Sequence, residues 1–231
     1  MTTTAQTIID AAIASSLAND GGTTVLANST SELLGVLSRA VRQVYTLAAV
    51  DRPAGFNRDG GMFVRTGSIT IGSPATTRVA FPTDAVRLLS IVDAGGDYVA
   101  MVSVGDLRVE VAELPPAVVV ADRTVRSAGR TGDPTAGAVL TVDYAYVPAM
   151  MTATTDTIGA TTPSDASTSS WPGEAGDGFL IRWLARYLAI KDGTRDQAEI
   201  DQLTAQLGQD ASALGSLLGV DAAKLVAVQT Q

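Results

Sequence analysis

The chain has 231 residues, of which 46% are hydrophobic and only 5% aromatic, so its core must be built from Ala, Val, Leu and Ile rather than from large rings. It carries 16 Lys+Arg against 24 Asp+Glu, a net charge of −8, which argues against sequence-independent duplex binding through phosphate neutralisation. Histidine and cysteine are both absent, which removes Ser-His and Cys-His nucleophiles, imidazole and thiolate metal sites, and disulfides.

In chain order, a first helix is predicted from Thr4 to Leu17, with Ile8, Ile9, Ala12, Ile13 and Leu17 on one side and Asn19-Asp20-Gly21-Gly22 ending it. Ser29-x-x-Glu32 is a capping-box pattern for a second helix, whose face is Leu33, Leu34, Leu37, Val41, Val44, Tyr45 and Ala48. Arg39, Arg42 and Gln43 fall on its other side, and Asp51-Arg52-Pro53-Ala54-Gly55 stops it, because Pro53 disfavours helical geometry at its predecessor.

The middle of the chain reads as antiparallel sheet. Leu107, Val109 and Val111 alternate with Arg108 and Glu110, and Leu140, Val142, Tyr144 and Tyr146 alternate with Thr141, Asp143 and Ala145. Val86 to Val92 and Tyr98 to Val104 are more continuously apolar and read as the central strands, joined through an Ala94-Gly95-Gly96-Asp97 turn. Shorter strands are predicted at Met62–Thr66, Ser68–Ile71, Arg78–Phe81, Ala117–Ala121 and Thr124–Ser127, a set that fits a small sandwich or a strongly bent sheet.

Thr152 to Ser170 is almost wholly Thr, Ser, Ala, Asp and Gly and reads as a flexible or extended linker. Beyond it, Phe179, Leu180, Trp183, Leu184, Tyr187 and Leu188 form a helical stripe with Arg182 and Arg186 opposite, closed by Asp192-Gly193. Thr194-x-x-Gln197 opens another helix with Ile200, Leu203, Leu207, Leu214 and Leu218, giving an antiparallel helical hairpin. Gly219 to Gln231 is weakly amphipathic, with no packing partner evident in the sequence.

The expected class is therefore α+β: an antiparallel bundle of about four helices with an inserted antiparallel β-sheet or sandwich and an extended C-terminal tail. The segments are 1–55, 56–150, a linker at 151–176, a hairpin at 177–218 and a tail at 219–231.

Chemistry is sparse. Of the 16 basic residues 14 are Arg, and the two lysines, Lys191 and Lys224, follow Ile190 and Ala223, so no Walker-type Gly-Lys pair exists. No glycine run matches G-x-G-x-x-G, no stretch of 18 apolar residues occurs, and no basic segment opens the chain, so neither a membrane span nor a secretion signal is expected. Asp93-Ala-Gly-Gly-Asp97 could be an oxygen-ligand loop for a cation but lacks the alternate ligands and distal Glu of an EF-hand, and a hairpin turn is the simpler reading. The Arg39/Arg42 and Arg182/Arg186 pairs are either solvated faces or, in an acidic assembly, subunit contacts. No catalytic, cofactor or metal residues are expected.

The order of elements resembles the head-to-tail adaptor (connector) proteins of tailed bacteriophages, particularly the short-tailed kind. Glu32-Leu33-Leu34-Gly35-Val36-Leu37-Ser38-Arg39-Ala40-Val41-Arg42-Gln43-Val44 is similar to the family's Glu-Leu-Leu-x-x-Leu-x-x-Ala-x-Arg-x-Ile helix. Phe81-Pro82-Thr83-Asp84-Ala85-Val86-Arg87-Leu88-Leu89 resembles its Leu-Pro-x-Asp-Ala-x-Arg-Leu-Leu phrase, and Tyr144-Ala145-Tyr146-Val147-Pro148 its strand ending in Tyr-x-x-x-Pro. Trp171-Pro172-Gly173-Glu174 and Phe179 to Leu218 match a Pro-x-Glu-initiated helix and helical hairpin, so the likeness spans about residues 30 to 218.

The resemblance implies a non-enzymatic virion protein without cofactors: a homo-oligomeric ring, a dodecamer in this family, that sits under the portal protein. Such a ring prolongs the DNA channel, lets genomic DNA pass without specific binding and offers a platform to tail or nozzle proteins. It further implies a place in the neck after assembly in the host cytoplasm, no membrane contact, and portal docking by the C-terminal segment, here Gly219, Val220, Leu225, Val226 and Val228. Arg39, Arg42, Arg182 and Arg186 are the candidate subunit-interface residues. The alternatives are another neck or tail-completion protein, or an acidic carbohydrate-binding or hydrolase β domain. Acidity is concentrated late: residues 1–60 hold five acids and four bases (−1), 61–148 nine and seven (−2), and 149–231 ten and five (−5).

Overall fold

The computed structural model describes residues 3–17, 30–51, 63–103, 115–162, 164, 167, 169–192 and 196–227. Several predicted features lie outside them: the Asn19–Gly22 stop, the Ser29 cap, residues 52–55 of the second helix stop, Met62, Val104, the Leu107–Val111 strand, Gly193, Thr194 and Val228. The fold is mixed α+β, with helices α1 (Ala5–Leu17), α2 (Thr30–Asp51), α3 (Glu174–Asp192), α4 (Gln197–Leu218) and α5 (Ala222–Val226). Seven strands occupy the middle: β1 (Val64–Thr70), β2 (Val79–Ala80), β3 (Ala85–Val92), β4 (Ala100–Val102), β5 (Ala117–Ala121), β6 (Thr124–Ser127) and β7 (Val139–Tyr146). The chain divides into two compact units, one formed by 1–53 with 147–231, the other by 54–146.

In the helical unit α3 is the central element, packed against α1, α2 and α4. Its stripe of Phe179, Leu180, Trp183, Leu184 and Leu188 is buried, as are Ile8, Ile9 and Ala12 of α1 and Leu203, Leu207, Ala211 and Leu214 of α4, the two helices packed most extensively on it. The α2 face of Leu33, Leu34, Leu37, Val41, Val44 and Tyr45 is likewise buried. By length and composition α2 could cross a membrane, but most of it is buried inside the unit, as a core helix would be. Each fully buried Leu, Ile or Phe contributes about 1.5–3 kcal/mol.

Three expectations for this unit change. The cap of α4 is Asp196, whose side chain accepts from the Ala198 amide. Residues 151–160 are a packed loop rather than a flexible linker: Met151, Ile158 and Ala160 are buried, and Asp156, itself buried, accepts from the amides of Thr152 (2.7 Å) and Ala153 (2.9 Å). The carbonyls of Asp156 and Thr154 then accept from the Ala5 and Gln6 amides (2.9 and 2.8 Å), capping an α1 that has no acidic residue in its first turn. Nor is the C-terminus an extended tail. Gly219 takes the left-handed conformation (φ 68°), Val220 and Leu225 are buried, and α5 packs against α4 and α2.

The β unit holds two sheets. The first has the order β1-β7-β3, all antiparallel, and the second the order β2-β6-β5-β4. The two segments predicted at 62–66 and 68–71 are one strand, β1, because Gly67 lets the Tyr144 ring lie over it. β3 is an edge strand, not a central one, and β4 is a short edge strand paired parallel to β5 in the other sheet. The centre of the first sheet is β7, whose Leu140, Val142, Tyr144 and Tyr146 are buried. Asp122 and Arg123, both at positive φ, make the tight β5–β6 turn, and the Arg123 guanidinium donates to the Ala85 carbonyl at 2.6 Å.

Asp133 anchors the loop before β7. Its side chain is only 2% exposed, and it accepts from the amides of Ala117 (2.8 Å) and Arg130 (2.7 Å) and from the Arg130 guanidinium (3.1 Å). Burial pushes its pKa up, but these hydrogen bonds and the Arg130 charge outweigh burial and hold it below the ordinary carboxylate value. A depressed folded pKa gives stability that is complete above the unfolded value of about 4 and lost as pH falls through the folded one. Asp133→Asn is therefore expected to destabilise the β unit by about 1–3 kcal/mol at pH 7. The gap should narrow as the pH is lowered below about 4, as read by urea denaturation across that range; a gap independent of pH would contradict the assignment.

Candidate functional site

The candidate residues fall into two groups, the arginines of α2 and α3 and the segment after α4. Opposite the α3 stripe, the Arg182 guanidinium donates to Ser15 Oγ of α1 (2.9 Å) and lies 3.8 Å from Asp210 of α4, while Arg186 Nε donates to Thr204 Oγ1 (2.9 Å). Both are half-buried between helices, so they cement the unit's own packing; with α1 and α4 both on α3, little of that helix reaches solvent. Arg42 donates to the Pro148 carbonyl (2.9 Å), beside Ser38, whose hydroxyl accepts from the Met151 amide (2.9 Å). Arg39 differs: it is exposed and forms no hydrogen bond or ion pair with any described residue. Of the four arginines it is the one whose charge is free for an external contact.

Glu32, predicted to reach back to its own helix cap, meets Lys191 Nζ and the Tyr187 hydroxyl of α3. The hydrogen bond to Lys191 lowers the Glu32 pKa and raises that of Lys191. Both groups are well exposed, so the pair orients α2 on α3 more than it stabilises it.

The segment after α4 is built by local rules. The Gly219 and Val220 amides return to the Gly215 carbonyl, and Asp221 accepts from the Ala223 amide (2.9 Å) to start α5. Val220 and Leu225 are consequently spent on the unit's own core, whereas Gly219 is exposed and Val226 half-buried. Asp221, Ala223, Lys224 and Ala227 of the same segment are also exposed, and Val228 lies outside the described residues.

The enzymatic alternative gains nothing from the geometry. Among the described residues the carboxylates with displaced pKa values are Glu32 and Asp133, both held low, the opposite of what a general acid needs. Asp93, the suspected cation ligand, uses Oδ1 to accept from the amides of Gly95 (2.8 Å) and Asp97 (2.9 Å), a turn built by its own side chain. No group of three carboxylates able to hold a metal forms among the described residues.

The chain is thus a helical unit interrupted by a two-sheet β unit, in which Arg42, Arg182, Arg186, Asp133 and Asp156 hold loops and helices together. The family model described as SU10 adaptor protein matches residues 3–228, and the chain belongs to that family of phage adaptor proteins. A comparison with curated proteins finds no match. Membership implies a non-enzymatic structural role in the virion neck, in association with portal and tail components.

Proposed function

We propose that the protein is a head-to-tail adaptor that forms a ring of about twelve copies beneath the portal, prolongs the DNA channel and carries the tail attachment platform. The observation that supports this reading is the family match over residues 3–228, which covers both units rather than one fragment. In this reading the helices at 1–55 and 177–218 form a bundle that makes the ring body, with Arg39 the foremost interface residue. Arg42, Arg182 and Arg186 then act by fixing helix positions. The β unit at 56–150 offers its surface to the tail. The channel wall is acidic, so DNA slides without the counterion release that would hold it to a basic one.

Portal docking is assigned to the part of the C-terminal segment not spent on the core, the exposed Gly219 and the half-buried Val226, together with Val228. A truncation that tests this starts after Ala227, because a cut at Gly219 would also strip Val220 and Leu225 from the core. The shortened chain is expected to keep its helical circular dichroism and to lose most of its affinity for purified portal. Native mass measurement of the full chain, alone and with portal, reads the ring. A monomer that also ignores portal would overturn the adaptor assignment.

A further inference from the structure

Among the described residues, no strand pairs with the outer edge of β1. Its seven residues pair with β7 without a register shift, whereas β3, at the other edge of the same sheet, has two irregularities. Val99 and Tyr98 partly cover the β3 edge: the Val99 amide donates to the Ile91 carbonyl and Tyr98 bridges Val92. On β1 the direction of the backbone groups is fixed by the ladder's ends. Phe63 accepts from the Tyr146 amide and the Ile71 amide donates to Ala138, so the odd residues bond to β7. The N–H and C=O groups of Val64, Thr66, Ser68 and Thr70 then point away from the sheet, and no described residue bonds to them.

Sheet edges are ordinarily blunted by Pro, Lys, bulges or a covering element. Here the strand Val-Arg-Thr-Gly-Ser-Ile-Thr contains neither Pro nor Lys. Its single charge, Arg65, is drawn aside by Asp84 (2.7 Å) and lies over the Tyr146 ring (5.9 Å). Thr66, Ser68 and Thr70 are exposed.

We infer that this edge pairs antiparallel with the β1 edge of a second copy of the chain, about a two-fold axis at Gly67. The occupant is set by the strand's own pattern. That register sets Thr66 against Ser68 of the other copy, Val64 against Thr70, Arg65 against Ile69 and Gly67 against itself. Hydroxyl faces hydroxyl, no like charges oppose each other, and Gly67 removes a side-chain clash on the axis. The register also brings outward-pointing residues only against outward-pointing residues, four pairs exchanging about eight hydrogen bonds. A six-stranded sheet results, β3-β7-β1 continued by its symmetry mate. The contact closes at two copies, so it is separate from the head-to-tail contacts a ring requires, and stoichiometry distinguishes the two.

The test is sedimentation of the full-length chain over a range of concentrations, alone. A monomer–dimer equilibrium is expected. Ser68→Pro removes an outward donor on each copy and leaves the β1–β7 bonds intact, so it should weaken dimerisation by at least about tenfold. Ser68→Ala keeps the outward backbone donor and loses only the hydroxyl pairing with Thr66, so it should weaken dimerisation by a few-fold at most. Amide exchange supplies a readout that needs no variant: the Thr66 and Ser68 amides should be protected at high concentration and exchange freely on dilution. A chain that is monomeric throughout, or an oligomer of any size in which these two amides exchange freely, overturns the inference.

Discussion

Gly159→Ala is expected to lower the stability of the helical unit by about 2–4 kcal/mol. Gly159 sits at φ 70°, where a Cβ costs about 1 kcal/mol or more, and that Cβ would also press on the Tyr45 hydroxyl and approach Trp171 Cβ to 3.0 Å. Tyr45 cannot step aside without loss. It is fully buried, donates to the Gly159 carbonyl at 3.0 Å, shares a hydrogen bond with Ser170, and stacks on Trp171 with ring centroids 6.1 Å apart. Tyr45→Phe separates the two contributions: it removes the hydrogen bonds without the clash and should cost about 1–2 kcal/mol. Urea denaturation followed by helical circular dichroism reads both. A Gly159→Ala chain as stable as the parent would show that the loop is not seated on α2 as described.

How far such contacts are legible in a sequence depends on whether they are local. The stripes of α2, α3 and α4 are visible because each helix faces its core at a fixed spacing, and β7 because period-2 alternation describes a half-buried strand. The loop at 151–160 is not legible from composition. Thr, Ser and Gly denote an absence of periodicity, while the order comes from one carboxylate, Asp156, and from carbonyls lent to the start of α1, more than a hundred residues away in sequence. The roles of Arg182 and Arg186 are hidden for a related reason. Their face looks solvated when α3 is considered alone and becomes an interhelical seam only once α1 and α4 are both in place. The apolar run at 98–104 cannot say that it serves a second sheet, because a three-residue parallel pairing carries no periodic signature. The C-terminal segment is different: Gly219 followed by an apolar Val220, then Asp221 at a helix start, is a local pattern that marks a fold-back rather than a free tail.

That fold-back rests on Gly215, and Gly215→Ala is the substitution expected to undo it. A Cβ at 215 would lie 2.6 Å from the Val220 carbonyl oxygen and 3.5 Å from the Ala222 amide nitrogen, both main-chain atoms with no rotamer to yield. The Gly215 carbonyl meanwhile accepts the Gly219 and Val220 amides that turn the chain back. Either α4 shifts or the segment lifts away, exposing Val220 and Leu225, which are 6% and 0% exposed in the native unit. The expected cost is about 2–3 kcal/mol, confined to α5 and the end of α4. It should appear as lost amide protection at Lys224, Leu225 and Ala227 and as new proteolytic cleavage near residue 220, with the Leu203 and Leu207 region of α4 unaffected. Because Val226 and Val228 remain in the chain, the same variant bears on portal docking. In the proposed function Val226 acts from a folded α5, so binding to purified portal should weaken by about tenfold or more even though no contact residue has been removed. Undiminished affinity with α5 released would place docking in the last residues alone and take α5 out of it.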